Sequence, residues 1–322
     1  MNMNNFIAVT IGDINGIGIE ILLNLWKSKK IKNFVLFTNE KYFKIYLRKN
    51  NIKIKYRVIN DFSLKKINLY KKELLIYTYK TNNNLDNTYK SLKYAYKITK
   101  LKNFIGIITL PLDKNKIIKN IDKNFKGQTE FFQKIDKKKY SNMIFIHKKI
   151  IVATLTNHIK LKSVSNEIKK TTKILNKIRI LNDTLINKFK IKNPKFVISG
   201  INPHSGEEGS FGNEEIKYQI PLIKRLINEK INITGPIAGD SIINKKNIKK
   251  YDCFIFNYHD QALIPFKMIS NFSGINYTDG LTILRVSPDH GTAYDIVGKN
   301  IANNLSLINC FKYLNRLNKL NS

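Results

Sequence analysis

Short apolar runs rich in β-branched residues alternate with longer amphipathic segments along most of this chain. The runs at 6–10, 33–38 and 104–110 have the length of strands, and the segments at 16–26 and 41–49 have helical spacing. This alternation is typical of an α/β fold with a largely parallel sheet. We therefore predict that fold class, with functional loops at the carboxyl ends of the strands.

The remaining elements are predicted from the same patterns. The runs at 142–147 and 150–156 flank a Lys-Lys pair and predict an antiparallel hairpin, and 164–189 is predicted to be one long helix. Further strands are expected at 74–79, 196–199, 231–234, 253–257 and 282–286, and further helices at 89–101 and 305–317.

The formal net charge of +34 would ordinarily indicate a nucleic acid or an anionic membrane as partner. Only six of the 57 basic residues are arginine, however, and the lysines are spread over the whole chain. Phosphate and base recognition depends heavily on the arginine fork. We therefore expect solvated surface lysines, no specific nucleic-acid partner and no membrane partner.

The N-terminal segment lacks the basic and apolar regions of a signal peptide, and no 18-residue apolar window is present. Cys253 and Cys310 are the only cysteines and are too few for a disulfide framework. We expect reduced thiols and a cytoplasmic protein.

The five histidines include three that directly follow predicted strands, namely His158, His204 and His259, whereas His147 is predicted to lie in a surface turn. Three imidazoles at neighbouring strand ends could converge on one divalent cation and leave positions open for a substrate. Their spacing is not a metal signature in itself, so a structural role for each histidine remains the alternative.

Other polar motifs occupy similar positions. Asn202-Pro203 begins a predicted tight loop, and the GQTE sequence at 127–130 precedes a helix whose N-terminus could bind an anion. The glycines at 12–18 have the spacing G-x-x-x-G-x-G, which predicts a tight turn rather than a dinucleotide fingerprint. Arg285 lies in an apolar strand and needs an anionic partner, either a substrate group or a structural carboxylate.

These motifs, taken together and in their order, resemble the 4-hydroxythreonine-4-phosphate dehydrogenase family of pyridoxal phosphate biosynthesis. The resemblance runs from Ile7 to about Asn304 and rests on the sequences TIGDINGIGIE, TLPLDK, GQTEFF, NHIKL, GINPHSGEEG, GPIAGD, YHDQALIPFK and DHGTAYDIVG.

The resemblance implies two α/β/α lobes with a cleft between them, as in isocitrate and isopropylmalate dehydrogenases. A first, cofactor-side lobe would comprise 1–120 and 268–322. A second lobe, 121–267, would hold the metal ligands and the dimer contacts.

The resemblance also implies a role for individual residues. Those with an implied role are the metal ligands His158, His204 and His259, the substrate-binding residues Gln128, Thr129, Lys267, Asn276 and Arg285, the cofactor-side residues His290, Gly291 and Asp295, and the candidate bases Asp240 and Asp260. The family has histidine where this chain has Gln128, and a Gln amide binds but cannot titrate. Asp260 could instead orient a ligand imidazole.

The implied activity is the NAD- or NADP-dependent oxidation of 4-phosphooxy-L-threonine at its C3 hydroxyl, with one zinc, cobalt or magnesium ion per site. The β-keto acid would lose carbon dioxide to give 3-amino-2-oxopropyl phosphate. A homodimer with a shared active site is implied as well. The alternatives are a D-threonate or D-erythronate 4-phosphate dehydrogenase, a three-histidine metal-dependent hydrolase and a basic nucleic-acid-binding protein.

Overall fold

A computed structural model describes residues 6–59, 72–102 and 104–322. The chain divides into two compact units, one of Met1–Phe132 with Thr282–Ser322 and one of Gln133–Leu281. These limits lie later than the lobe boundaries expected at 120 and 267. A boundary at 267 would divide the helix His259–Ser270, and the strand Ile275–Asp279 that follows pairs with the strand Asn142–His147 of the second unit.

The first unit contains a parallel sheet, as the alternating sequence pattern predicted. Its strands are β1 (Ile7–Thr10), β2 (Phe34–Phe37), β3 (Tyr56–Ile59), β4 (Leu74–Tyr77), β5 (Gly106–Thr109) and β12 (Arg285–Pro288), in the order β3-β4-β2-β1-β5-β12. The paired strands run parallel, and β1, β2 and β5 are buried over their whole length. Burial on both faces explains why these segments are apolar without alternation.

The helices in the N-terminal part of the chain are α1 (Ile17–Lys27), α2 (Glu40–Lys49), α3 (Asn84–Lys102), α4 (Lys114–Asn120) and α5 (Gln128–Ile135), and Leu305–Asn321 forms the closing helix, α11. Asn39 and Asp113 cap α2 and α4, since their side chains accept hydrogen bonds from Lys41 N (3.0 Å) and Lys116 N (3.1 Å). Among the described residues, no helix is long and apolar enough to cross a membrane.

The second unit contains a mixed sheet. Its strands are β6 (Asn142–His147), β7 (Ile150–Thr154), β8 (Phe196–Ser199), β9 (Ile233–Ile237), β10 (Cys253–Phe256) and β11 (Ile275–Asp279), in the order β11-β6-β7-β10-β8-β9. Strand β6 runs antiparallel to β7 and β11, which confirms the predicted hairpin. Strand β10 is parallel to β7 and β8, so the carboxyl ends of these three strands lie at one edge.

The helices of the second unit are α6 (Val164–Ile168), α7 (Thr171–Asn187), α8 (Ile220–Asn228), α9 (Lys245–Lys250) and α10 (His259–Ser270). The prediction of one helix over 164–189 was wrong, because a turn at Lys169-Lys170 separates α6 from α7. The last strand begins at Arg285 rather than at 282, and β3 and β11 were not predicted. Strand β11 has the sequence INYTD, whose polar residues hide its buried position.

Candidate functional site

Two of the predicted metal ligands lie side by side at the carboxyl edge formed by β7, β8 and β10. His158 follows β7, His259 is the first residue of α10, and their ring centroids are 5.7 Å apart. His259 Nδ1 is 2.7 Å from Asp260 Oδ1. A carboxylate on one ring nitrogen fixes the imidazole and directs the other nitrogen outward, as in metal-bound histidines.

The third predicted ligand, His204, follows β8 and has its ring centroid 6.0 Å from that of Phe211. Within the described part of this chain, no three His, Cys, Asp or Glu side chains are arranged to hold a metal ion. The structure therefore brings two of the three histidines together, and the triad stays a prediction. The donor chemistry fits a borderline metal such as zinc or cobalt, since two imidazoles lie next to each other and a carboxylate contacts one of them.

The backbone that carries His204 is left-handed. Its φ angles are positive at six consecutive residues: His204 (49°), Ser205 (55°), Gly206 (85°), Glu207 (39°), Glu208 (53°) and Gly209 (102°). A left-handed conformation costs about 1–2 kcal/mol for each non-glycine residue. A turn of this kind persists only where surrounding contacts hold it, and such strain is concentrated at functional sites.

A buried carboxylate holds the start of this turn. Glu215 is 1% exposed, and its side chain accepts hydrogen bonds from the backbone N–H groups of Ile201 (2.7 Å) and Asn202 (2.8 Å). The Asn202 amide donates to Glu214 and Glu215, each at 2.9 Å. These bonds satisfy backbone donors that the irregular turn would otherwise leave unpaired.

The candidate bases differ in their surroundings. Asp260 is bound to His259, which agrees with the alternative that it orients an imidazole. Asp240 is exposed and accepts a hydrogen bond from Ser241 Oγ at 3.2 Å. Both carboxylates are exposed and each contacts its neighbour in sequence, but only Asp260 contacts a predicted metal ligand.

Two predicted substrate-binding residues also belong to the second unit. Lys267 lies on α10, two turns after His259, with Nζ 5.5 Å from the centre of the Phe272 ring. Asn276 lies on β11, and its buried side-chain oxygen has no hydrogen-bond partner among the residues that the structure describes. A buried amide oxygen without a partner is expected to accept a hydrogen bond from a ligand.

The first unit places Gln128 and Arg285 in direct contact. Arg285 is 1% exposed, and burial lowers the pKa of its guanidinium to about 10. Its Nε donates to Thr109 Oγ1 at 3.1 Å, and its Nη2 donates to the Gln128 side-chain oxygen. Gln128 Nε2 in turn donates to Leu110 O at 3.1 Å, and Thr129 beside it is buried. A buried cation of this kind gains stability from an anionic ligand.

The predicted cofactor-side residues lie in the segment after β12. His290 Nδ1 is 3.0 Å from Gly291 O, Gly291 faces open space, and Asp295 is exposed. Tyr294 in this segment donates a hydrogen bond to Asp13 Oδ2 at 2.6 Å and so ties the segment to the turn after β1.

The glycines of that turn are explained by close packing. Gly12 has a φ of +65°, and a Cβ at Gly16 would lie 3.0 Å from Thr292 O. Side chains at these positions would collide with neighbouring backbone, which agrees with the predicted tight turn.

Sequence reasoning missed several buried polar side chains beneath the histidine-bearing loops, above all Asn257, Gln219 and Glu215. Asn257 is 0% exposed and directly follows the apolar strand β10. The position of a polar residue immediately after a buried strand could have identified Asn257 from the sequence. Gln219 and Glu215 lie in a single π-helical turn, and helical periodicity gives no sign of their role.

Comparison with known proteins gives one consistent result. Residues 30–314 match the family described as pyridoxal phosphate biosynthetic protein PdxA. A 4-hydroxythreonine-4-phosphate dehydrogenase from Aquifex aeolicus is 36% identical, with the match covering 98% of this chain and 99% of the relative.

Two further comparisons bear on substrate and fold. A candidate D-threonate 4-phosphate dehydrogenase from Bradyrhizobium diazoefficiens is 32% identical over 71% of this chain and 69% of the relative. The crystal structure of a 4-hydroxythreonine-4-phosphate dehydrogenase from Klebsiella pneumoniae superposes with a TM-score of 0.80 at 23% identity, covering 98% of this chain and 99% of that one. The structural likeness confirms the predicted α/β fold class.

Proposed function

Because the chain belongs to the PdxA family of pyridoxal phosphate biosynthetic proteins, we propose that it oxidises 4-phosphooxy-L-threonine at the C3 hydroxyl with NAD or NADP. The oxidation gives a β-keto acid, which decarboxylates to 3-amino-2-oxopropyl phosphate. The observation that carries the proposal is the match to a 4-hydroxythreonine-4-phosphate dehydrogenase over 98% of the chain.

His158, His204 and His259 are proposed to hold one divalent cation, zinc, cobalt or magnesium. Bound there, the cation would supply Lewis-acid polarisation of the substrate hydroxyl. The short distance between the rings of His158 and His259 and the contact of the Asp260 carboxylate with His259 support this assignment. In the proposed site Asp260 orients the imidazole, and Asp240 remains the candidate for removing the hydroxyl proton.

The proposed anion contacts are Lys267 and Arg285, with Gln128, Thr129 and Asn276 as hydrogen-bonding groups. The buried guanidinium of Arg285 offers a charge whose desolvation cost a phosphate or carboxylate would offset. The unpartnered oxygen of Asn276 would accept a hydrogen bond from the substrate. His290, Gly291 and Asp295 are proposed for the cofactor side, and the nicotinamide would accept the hydride.

We propose a cytoplasmic homodimer with a shared active site. His158 and His204 are exposed in the single chain, so each is accessible to a second subunit. A ligand set completed between two subunits also agrees with the finding that two, not three, predicted ligands meet within the described part of one chain.

D-Threonate 4-phosphate is the second candidate substrate, and Gln128 is the observation that favours it. This residue replaces the family's histidine and is engaged by Arg285 and by Leu110 O. A fixed amide in place of a titratable imidazole changes which substrate groups the position can meet.

The test is nicotinamide reduction by the purified protein with Co²⁺, offering each 4-phosphate in turn. We expect kcat/KM for 4-phosphooxy-L-threonine to exceed that for D-threonate 4-phosphate by at least about tenfold. The reverse order would replace the proposed substrate. No reduction with either compound would leave the hydrolase alternative in its place.

The metal assignment is tested by His204→Ala, which should remove most bound Co²⁺ and nearly all turnover. His147→Ala is the matched control, because this histidine lies on β6 and contacts Ser273 instead of the site. Full metal occupancy in the His204 variant would refute the assignment.

A further inference from the structure

One buried amide joins the three segments that carry the histidines. Asn257 follows β10, two residues before His259, and is completely buried. Both ends of its side chain and both of its backbone polar groups are engaged. Nearly all buried polar groups of folded proteins find partners, but here the partners of one residue lie on separate loops.

The bonds to the loop after β7 come from Thr156. Its backbone N–H and its hydroxyl both donate to Asn257 O, at 3.1 and 2.7 Å. Thr156 is 5% exposed and lies two residues before His158. The backbone entering the His158 position is therefore fixed directly to the backbone entering the His259 position.

The bonds to the loop after β8 come from the Asn257 side chain. Its Nδ2 donates to Ser199 O at 2.9 Å and to Ser199 Oγ at 3.2 Å, and its Oδ1 accepts a hydrogen bond from Gln219 at 2.8 Å. The Asn257 backbone N–H donates to Gln261 Oε1 at 2.9 Å, and Gln261 Nε2 donates to Gly200 O at 2.9 Å. Ser199 and Gly200 lead into the left-handed turn that carries His204.

We propose that Asn257 is a positioning residue for the metal site, which sets the relative placement of the three histidine-bearing segments without touching the metal itself. The inference rests on the proposed metal assignment. Its physical basis is that a fully satisfied amide in a water-excluded interior holds its partners in one arrangement, because each broken bond leaves a buried polar group unpaired.

Measurement of Co²⁺ affinity by its visible absorption tests the proposal on the full protein. Asn257→Ala should weaken Co²⁺ binding by about 10–100-fold, the usual effect of removing an outer-shell support of metal ligands. Thr156→Val is nearly isosteric and removes only the hydroxyl bond to Asn257 O, so its loss should be several-fold. This milder variant decides the question if Asn257→Ala does not fold.

Asn142→Ala is the matched control. Asn142 is a buried asparagine of the same unit, 2% exposed, but its amide donates to Lys177 O and to Asp279 Oδ2 rather than to a histidine-bearing segment. Asn142→Ala should lose about as much free energy of unfolding as Asn257→Ala, measured with a denaturant, yet bind Co²⁺ as the wild type does. We also expect the absorption spectrum of bound Co²⁺ to differ from that of the wild type in the Asn257 and Thr156 variants. It should be unchanged in the Asn142 control.

The outcomes separate the two claims. Wild-type protein that binds no Co²⁺, or a His204→Ala variant that binds it normally, would overturn the metal assignment and this inference with it. If Co²⁺ binding depends on the histidines and yet is as tight in Asn257→Ala and Thr156→Val as in the wild type, that result would overturn the inference alone. Equal losses in the Asn142 control would also overturn it, since the effect would then be general destabilisation.

Discussion

Gln128 stands where the family has histidine, and its contacts indicate what this replacement changes. Its side-chain oxygen accepts a hydrogen bond from the buried guanidinium of Arg285, and its nitrogen donates to Leu110 O. A neutral imidazole could make one bond of each kind as well, but a protonated imidazole would present a second cation to Arg285. The amide therefore gives a partner for Arg285 that does not depend on pH.

Gln128→His is expected to keep or raise kcat/KM near neutral pH and to introduce an acid limb. Arg285 disfavours the charged imidazole, so the loss should appear as pH falls below the ordinary histidine range. Gln128→Leu should lower kcat/KM by about 10–100-fold at all pH values, because the buried Nη2 of Arg285 loses one of its acceptors and keeps Thr109 Oγ1. Profiles of kcat/KM against pH measure both. An acid limb in the wild type equal to that of the histidine variant would contradict this account.

His147 provides a pH effect outside the proposed site. Burial, and to a lesser extent Lys148, lowers the pKa of His147 below its usual 6.5. The unfolded chain thus binds this proton more readily than the folded chain, so the stability contribution is present above pH 6.5 and is lost as pH falls through the lowered pKa.

Removing this histidine with His147→Gln should flatten the dependence of unfolding free energy on pH in the acid direction. Urea denaturation of wild type and variant between about pH 5 and pH 8 measures the difference. If the difference in unfolding free energy between wild type and variant grows above neutral pH instead, the direction assigned to the pKa shift of His147, and so its cause, is wrong.

At the scale of elements, the left-handed turn at 204–209 is the conformation least compatible with ordinary side chains. Gly206 has a φ of +85°, and a Cβ there would lie 2.8 Å from both Glu215 Oε2 and Gly212 O. Glycine lowers the cost of two of the six left-handed positions, and Glu215 satisfies the backbone donors at the entrance of the turn.

Gly206→Ala should therefore destabilise the protein by about 1–3 kcal/mol and weaken Co²⁺ binding through displacement of His204. Gly291→Ala is the control for stability, since a Cβ at that glycine meets nothing within 4 Å. Chemical denaturation and a Co²⁺ titration give the two readouts. A Gly206 variant as stable as the control would show that the turn relaxes without cost.

At the scale of the whole molecule, the net charge of +34 dominates the solution behaviour. A dense lysine surface attracts polyanions through counterion release, which does not depend on their sequence. The lysines are spread over the whole chain and only six of the basic residues are arginine, so we expect this attraction to be nonspecific.

We expect the protein to be retained on DNA-cellulose at about 50 mM salt and released as salt approaches about 200 mM, equally for DNA of any sequence. Enzyme activity should be unaffected by added competitor DNA at physiological salt. Tight, sequence-selective binding at that salt would contradict the assignment of the charge to surface composition.

Much of the fold and part of the site could be predicted from local patterns. Strands such as β1, β2, β5 and β10 are continuous apolar runs, and their short length and β-branched residues distinguish them from buried helices. The positions of His158 and His259 after strands followed from the same patterns. The break at Lys169-Lys170 could not be predicted, because lysine is a good helix former and the turn there is closed by backbone hydrogen bonds that carry no side-chain signal.

The sequence by itself determined the α/β class, the family and the residues available for chemistry, because apolar periodicity and motif order are local properties. Only the tertiary structure decided which of those residues meet. Asn257 reaches Ser199 across 58 residues and Thr156 across 101, and Gln128 reaches Arg285 across 157. Such pairings depend on which strands become neighbours and on buried polar groups finding partners, and no local pattern encodes that choice.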